Sequence, residues 1–282
     1  MRVGYFGPPG TFTEDALLAS APADVEPVAL ATIHATIAAL ADGSVERAVV
    51  PIENALEGSV DTTLDALTVD FDDVVIVDEV VRPIVHCLIA AAPVALSEIE
   101  LVTSHPQALG QCAGYLRREL PQARVQAAAG STAGAVRTIA EPGHERWAAI
   151  GTALAARLYG ATVLRENIAD RPGNETRFVW LARRGEEPEI AAERWKTSVV
   201  FWGGGHDTTP GWLVGCLSEL ATRDINLTRI ESRPQRIGLG QYLFYVDLEG
   251  TPRTPVVAEA LQALESHCEG LRTLGTYPVA RR

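Results

Sequence analysis

Along the first 180 residues one pattern repeats: a short apolar run, a small polar residue, then a stretch with helical spacing. Arg2–Phe6 leads through Gly7-Pro8-Pro9-Gly10 to Thr11-Phe12-Thr13-Glu14. A Thr with a Glu three positions later is a capping box, so a helix is expected from Thr11. Ala48–Ile52 leads through Glu53-Asn54 to a helix expected near Ser59. Leu101–Thr103 leads to Ser104-His105-Pro106-Gln107, a second box with Ser104 as the cap. Val125–Ala129 leads to Ser131-Thr132 and a helix over 133–140. Trp147–Ile150 leads to Thr152 and a helix closed by Gly160. Strands alternating with helices imply an α/β architecture with a largely parallel sheet.

Two further apolar stretches, Val74–Val81 and Ala161–Ile168, read as crossings between two lobes. On that reading one lobe takes about 1–75 and 169–184, with Thr176–Ala182 as a strand, and the other about 76–168. The run Arg183–Glu189 is charged and contains Gly and Pro, so 185–195 is expected to be a linker. Beyond it the pattern changes. Strands are expected at Thr197–Trp202, Ile225–Ile230, Tyr242–Leu248 and Leu271–Tyr277, and helices at Trp212–Thr222 and Pro255–Cys268. That order, β-α-β-β-α-β over 196–282, is ferredoxin-like. The glycine-rich stretch Gly203–Thr209 is expected to be a mobile loop.

Composition narrows the function. The 282 residues are 47% hydrophobic and 21% charged, enough for two or three packed domains. The chain starts straight into a strand, without a basic start and apolar core, and its longest apolar run, around Ile84–Leu96, is broken by His86 and Pro93. Neither a signal peptide nor a span of about 20 apolar residues is expected, which points to the cytoplasm and away from a membrane. A net charge of −12 argues against nucleic acid as a partner. It also means that an anionic substrate must be held by local groups. Cys87, Cys112, Cys216 and Cys268 lack metal-ligand spacing and are expected to be reduced, buried thiols; no metal site is expected.

Helix N-termini that follow parallel strands offer free N–H groups and a partial positive charge. Thr11, Ser59, Ser104 and Thr132 are therefore candidate carboxylate-binding caps, beside the plain reading that Ser and Thr cap any helix. His105 is open between a general base and a structural role; the other five histidines read as surface or core residues. No phosphate-binding glycine motif appears, and Gly7-Pro8-Pro9-Gly10 is not one. The polar run Asn174-Glu175-Thr176-Arg177-Phe178 enters an apolar stretch directly. If it is extended, Asn174, Thr176 and Phe178 share one face, and Glu175 and Arg177 the other. Arg177 is then a site-shaping residue in a structural ion pair, and Glu175 is not the acid.

Five segments, in order and spacing, resemble the prephenate dehydratases: Gly7–Thr13, Pro51–Asn54 with Glu57–Val60, Ser104–Cys112, Asn174–Phe178, and Arg223–Pro234 in the position of that family's regulatory ACT module. The resemblance implies a two-lobed, periplasmic-binding-protein-like catalytic domain over 1–184 and a ferredoxin-like ACT domain over 196–282. It implies loss of carbon dioxide and water from prephenate to give phenylpyruvate. Aromatisation drives that reaction, so no cofactor is implied. Thr176 matches the family's essential Thr, read as donor to the departing hydroxyl. Thr11, Asn54, Ser59, Ser104, Gln111, Arg177 and Phe178 are the implied substrate residues. Gln111 lies seven residues after Ser104, so both are expected on one helix side.

The resemblance further implies phenylalanine as effector and a homodimer or homotetramer. Effector candidates are Gly211, Trp212, Leu213, Val214, Asn226, Glu231 and Ser232. The family's usual Gly-Ala-Leu-Val reads Gly211-Trp212-Leu213-Val214 here. Two readings stand: Trp212 turns outward to an interface, or it reshapes the pocket. Arogenate dehydration, prephenate decarboxylation and a non-catalytic sensor are the alternatives; the intact run 174–178 argues against the last two.

Overall fold

The computed structural model describes residues 1–128, 130–203 and 210–280. Ala129 and most of the expected Gly203–Thr209 loop lie outside them. The chain is mixed α/β and forms two compact units. One comprises Met1–Val60 with Val81–Phe178, the other Asp61–Val80 with the described residues from Val179 on.

In the first unit β1 (Arg2–Phe6), α1 (Phe12–Ser20), β2 (Glu26–Leu30), α2 (Ile33–Ala41), β3 (Arg47–Asn54) and β4 (Gly58–Ser59) follow in order. β1 lies parallel to both β2 and β3, and β4 folds back antiparallel on β3. Helix α1 turns Ala16 and Leu17, and α2 turns Ile33, Ile37 and Leu40, into the core. Each Leu or Ile among them contributes roughly 1.5–3 kcal/mol on burial. The chain then forms α3 (Asp61–Asp65) and a π-helical turn (Ala66–Asp70) in the second unit. It returns within β5 (Val74–Pro83).

The rest of the first unit is β6 (Cys87–Ala90), β7 (Leu101–Ser104), α4 (Pro106–Gln111), α5 (Ala113–Glu119), β8 (Arg124–Ala127), α6 (Thr132–Ile139), β9 (Trp147–Gly151), α7 (Ala153–Leu158) and β10 (Thr162–Arg165). Its sheet runs β10-β6-β9-β7-β8, parallel among β7, β8 and β9 and antiparallel around β6. Alternation decides the two faces. Leu88, Ala148 and Ile150 pack under α4 and α5 with Leu109, Cys112 and Leu116. Cys87, Ile89 and Ala149 pack under α6 and α7 with Val136, Ile139 and Ala155. Strand β11 (Glu175–Arg183) carries the chain back into the second unit at Phe178/Val179.

The second unit continues through β12 (Trp195–Trp202), α8 (Trp212–Ala221), β13 (Leu227–Pro234), β14 (Tyr242–Glu249), α9 (Pro255–Ser266) and β15 (Gly270–Pro278). Four of its strands run β13-β14-β12-β15 with antiparallel pairing, and β15 also meets β5 in parallel at Gly275 and Ile76. Both helices cover one face, where Val199, Phe201, Val246 and Leu248 meet Cys216, Leu220, Val257 and Leu264. The other face is polar: Ser198 donates to Asp247, Tyr245 donates to Thr68, and the buried Lys196 ammonium sits 2.8–2.9 Å from both Glu79 oxygens.

Three expected caps are displaced. Ser104 stays in β7, and His105 caps α4, its Nδ1 accepting from Gln107 N at 3.3 Å. Ser104 and Gln111 therefore do not share a helix face. Ser59 lies in β4, because pairing with Glu53 extends the strand before the helix begins. Thr132 is the first residue inside α6, and Ser131 is the cap. Any side-chain acceptor on extended backbone can cap, so strand pairing decides which one does. Thr11 and Thr152 cap as expected. The Thr11 box is not reciprocal, since Glu14 reaches Gly10 N and Tyr5 Oη rather than Thr11 N. Gly10 has φ +89°, and a Cβ there would lie 2.8 Å from Ala155 Cβ; its carbonyl accepts from Thr152 Oγ1 at 2.6 Å.

Candidate active site

All of the site lies within the first unit. Ala55 N donates to Glu175 O, and Ile84 N donates to Asn174 O, which fixes the start of β11 beside the end of β3. Alternation then pairs like faces. On one side Asn54 Nδ2 lies 2.8 Å from Thr176 Oγ1 and 2.8 Å from Asn174 Oδ1. On the other, Arg177 Nε and Nη2 each lie 3.0 Å from Glu53 Oε2. Arg177 is buried in this ion pair, and Glu175 faces solvent.

The hydrogen-bond partners fix which way each amide faces. Asn54 Oδ1 accepts from Leu56 N and Glu57 N, both at 3.0 Å, so its NH2 must face Asn174 and Thr176. Asn174 Oδ1 is thereby used, and its Nδ2 donates to Gln111 Oε1 at 3.0 Å. Gln111 Nε2 donates to the Glu57 carboxylate at 2.9 Å. The ring closes from Glu57 back through its own N–H to Asn54. Thr176 Oγ1 accepts from Asn54, which leaves its hydroxyl proton available to a ligand. Thr176 is 7% exposed, so such a bond forms largely out of water.

His86 joins this ring. Its Nε2 lies 2.8 Å from Gln111 Oε1, the ring meets Phe12 edge-on at 5.6 Å, and the side chain is 3% exposed. Burial holds its pKa below the usual histidine range, opposed by the Gln111 bond. The reading of His86 as a surface or core residue left its burial open and missed its partner. The signal in the sequence was a lone polar residue inside an apolar run, since a buried polar group needs a partner. Glu57 and Asn174 were likewise visible only as parts of motifs.

The remaining candidates are more dispersed. A cavity of about 510 Å³ is lined by residues including Leu56, Glu57, Gln107, Gln111, Arg117 and Arg171. Thr11, Ser59, Ser104, Thr176 and Phe178 do not line it. Thr11 Oγ1 accepts from Glu14 N and donates to Phe6 O. Ser104 is fully buried and donates to Ile150 O at 2.6 Å, and Phe178 is in the core. Among the described residues no group of His, Cys, Asp and Glu could hold a metal, and no helix is long and apolar enough to cross a membrane. Burial pushes the Cys112 thiol up to about 12 and Cys87 up to about 11, so both stay protonated at neutral pH.

In the second unit Gly211, at φ +94°, precedes α8. Trp212 turns inward: its Nε1 donates to His267 O at 2.6 Å, and its ring lies 6.1 Å from Phe201 and 5.8 Å from Phe244. The residue is packed on its own core on one side and stays partly exposed on the other. Leu213 packs on the same core, while Val214, Asn226 and Ser232 are exposed and Glu231 half-buried. Arg233 pairs with Asp61 and Asp65 of α3.

The prephenate dehydratase family model matches residues 3–186. A prephenate dehydratase of Mycolicibacterium vanbaalenii is 39% identical over 290 residues, covering 98% of this chain and 90% of the relative. The solved prephenate dehydratase of Arthrobacter aurescens in complex with L-Phe is 35% identical with a TM-score of 0.89, over 99% of this chain and 90% of that one. A structure described as a novel type of quorum quenching acylase, GqqA, is 29% identical with a TM-score of 0.85, over 99% of this chain and 98% of that one.

Proposed function

Because the chain belongs to the prephenate dehydratase family, we infer that it converts prephenate to phenylpyruvate, with loss of carbon dioxide and water, in phenylalanine biosynthesis. The observation that carries the residue assignment is the Asn54–Thr176 contact inside a closed ring of amides. The Thr176 hydroxyl donates to the departing ring hydroxyl. The C–C bond to the departing carbon dioxide breaks and its electron pair enters the ring as the C–O bond breaks; the hydroxyl leaves as water with the Thr176 proton, which solvent restores to the threonine before the next turnover. Such assistance is typically worth about 10²–10⁴-fold. Gln111 offers its remaining Nε2 proton to a substrate oxygen, Asn54 positions Thr176 through its Nδ2, and Arg117 and Arg171 supply positive charge at a cavity wall that also carries Glu57 and Asp170. Thr11, Ser59, Ser104 and Phe178 shape the site around them, and Arg177 braces it through Glu53.

The catalytic domain spans 1–184 in two lobes, about 1–75 with 169–184 and about 76–168, with a periplasmic-binding-protein-like plan. A linker over 185–195 joins an ACT domain over 196–282, whose βαββαβ order supports that reading. Phenylalanine binds there in a cytoplasmic homodimer or homotetramer, near Gly211–Val214, Asn226, Glu231 and Ser232. The L-Phe complex of the Arthrobacter relative supports this reading. Trp212, packed on its own core, narrows the space at the α8 N-terminus.

Product identification tests the function. Phenylpyruvate from prephenate is expected. Phenylalanine from arogenate, with prephenate untouched, would move the substrate, and no turnover of either would leave a sensor. Cleavage of an acylated signal molecule in place of both would favour the acylase-like relative. Titration calorimetry with phenylalanine tests regulation; no heat at millimolar ligand would remove it.

A further inference from the structure

We propose that His86 is a positioning residue for the dehydration: its Nε2–H fixes the Gln111 amide and, through Asn174 and Asn54, keeps Thr176 Oγ1 an acceptor whose own proton is left for substrate. The inference rests on the reading of Thr176 as donor.

The ring of amides admits one consistent set of orientations. Gln111 Oε1 already accepts from Asn174 Nδ2, and Gln111 Nε2 is bound to the Glu57 carboxylate. The oxygen facing His86 at 2.8 Å can only accept, so Nε2 must carry a proton. If the imidazole carried its proton on Nδ1 instead, two acceptors would face each other. Relief by turning Gln111 would set its oxygen against Glu57. Turning Asn174 in response would set its NH2 against the NH2 of Asn54, which Leu56 N and Glu57 N hold in place. One wrong tautomer therefore propagates to the group that holds Thr176.

The surroundings of His86 hold it in the required form. Nδ1 is buried and has no hydrogen-bond partner among the described residues, and Phe12 packs edge-on against the ring. A proton on Nδ1 would have no acceptor, whether in the other tautomer or in the imidazolium. An orphaned buried acceptor is a defect that a merely structural residue has no reason to keep. It is accounted for if the opposite nitrogen must always donate.

The test compares His86→Leu and His86→Gln in the full-length protein with prephenate, per folded molecule by circular dichroism. His86→Leu is expected to lower kcat by about 10- to 100-fold, the scale of a small misplacement of a catalytic group, with KM little changed. His86→Gln, whose side-chain N–H reaches toward the same oxygen, is expected to recover most of that loss. A purely structural role would lower the melting temperature without this split. In the wild type, nitrogen NMR of the imidazole is expected to report a neutral ring protonated at Nε2. Wild-type kcat in folded His86→Leu, equal loss in both variants, or an Nδ1–H ring would each overturn the inference alone. A wild type without prephenate turnover would instead overturn the function on which it rests.

Discussion

At the scale of single residues, the period-two reading of 174–178 placed Thr176 and Arg177 on opposite faces, and the structure pairs them with Asn54 and Glu53, which themselves alternate on β3. Glu53→Gln should cost about 1–3 kcal/mol in urea unfolding, since it weakens the acceptor of a buried guanidinium. His86 adds a pH dependence. Its folded pKa is depressed by burial, so the unfolded chain takes up the proton first. Stability from this group should be complete above the ordinary value of about 6.5 and fall as pH drops toward the folded value. His86→Gln should flatten that part of the acid slope in thermal melts. What sequence could not reveal was closure. His86 and Gln111 are 25 positions apart and Asn54 and Thr176 are 122 apart, and no local period joins them.

At the scale of elements, the strand–helix alternation and the βαββαβ order were legible because apolar periodicity and Gly/Pro punctuation are local signals. Helix starts were less so. Ser104, Ser59 and Thr132 all have capping chemistry, yet β7 runs through Ser104, β4 takes Ser59, and Ser131 precedes Thr132. The caps that held, Thr11 and Thr152, meet at one loop, where Thr152 donates to Gly10 O and Tyr159 donates to Pro9 O. Gly10→Ala should therefore lose about 1–3 kcal/mol from its positive φ alone, and more from contact with Ala155. Chemical denaturation would register the change, and a neutral effect would mean that the loop can move away from α7.

At the scale of the whole molecule, the two units keep different chemistry on their polar faces. The second holds a buried Lys196–Glu79 pair. Glu79→Ala should destabilise by about 3–5 kcal/mol, because it strands a buried ammonium. The first holds three amides in a ring closed by the Glu57 carboxylate, beside a cavity lined by Arg117 and Arg171 and by Glu57 and Asp170. On the proposed function, the two arginines and the neutral donors would hold the prephenate dianion in an otherwise acidic chain. Arg171→Gln should raise KM for prephenate and leave kcat nearly unchanged in steady-state assays. The central measurement is turnover and binding of prephenate by Thr176→Ala. The variant is expected to bind prephenate in titration calorimetry nearly as the wild type does, while phenylpyruvate formation falls at least about 100-fold. Turnover at the wild-type rate would show that the Thr176 proton is not the one that leaves with the hydroxyl.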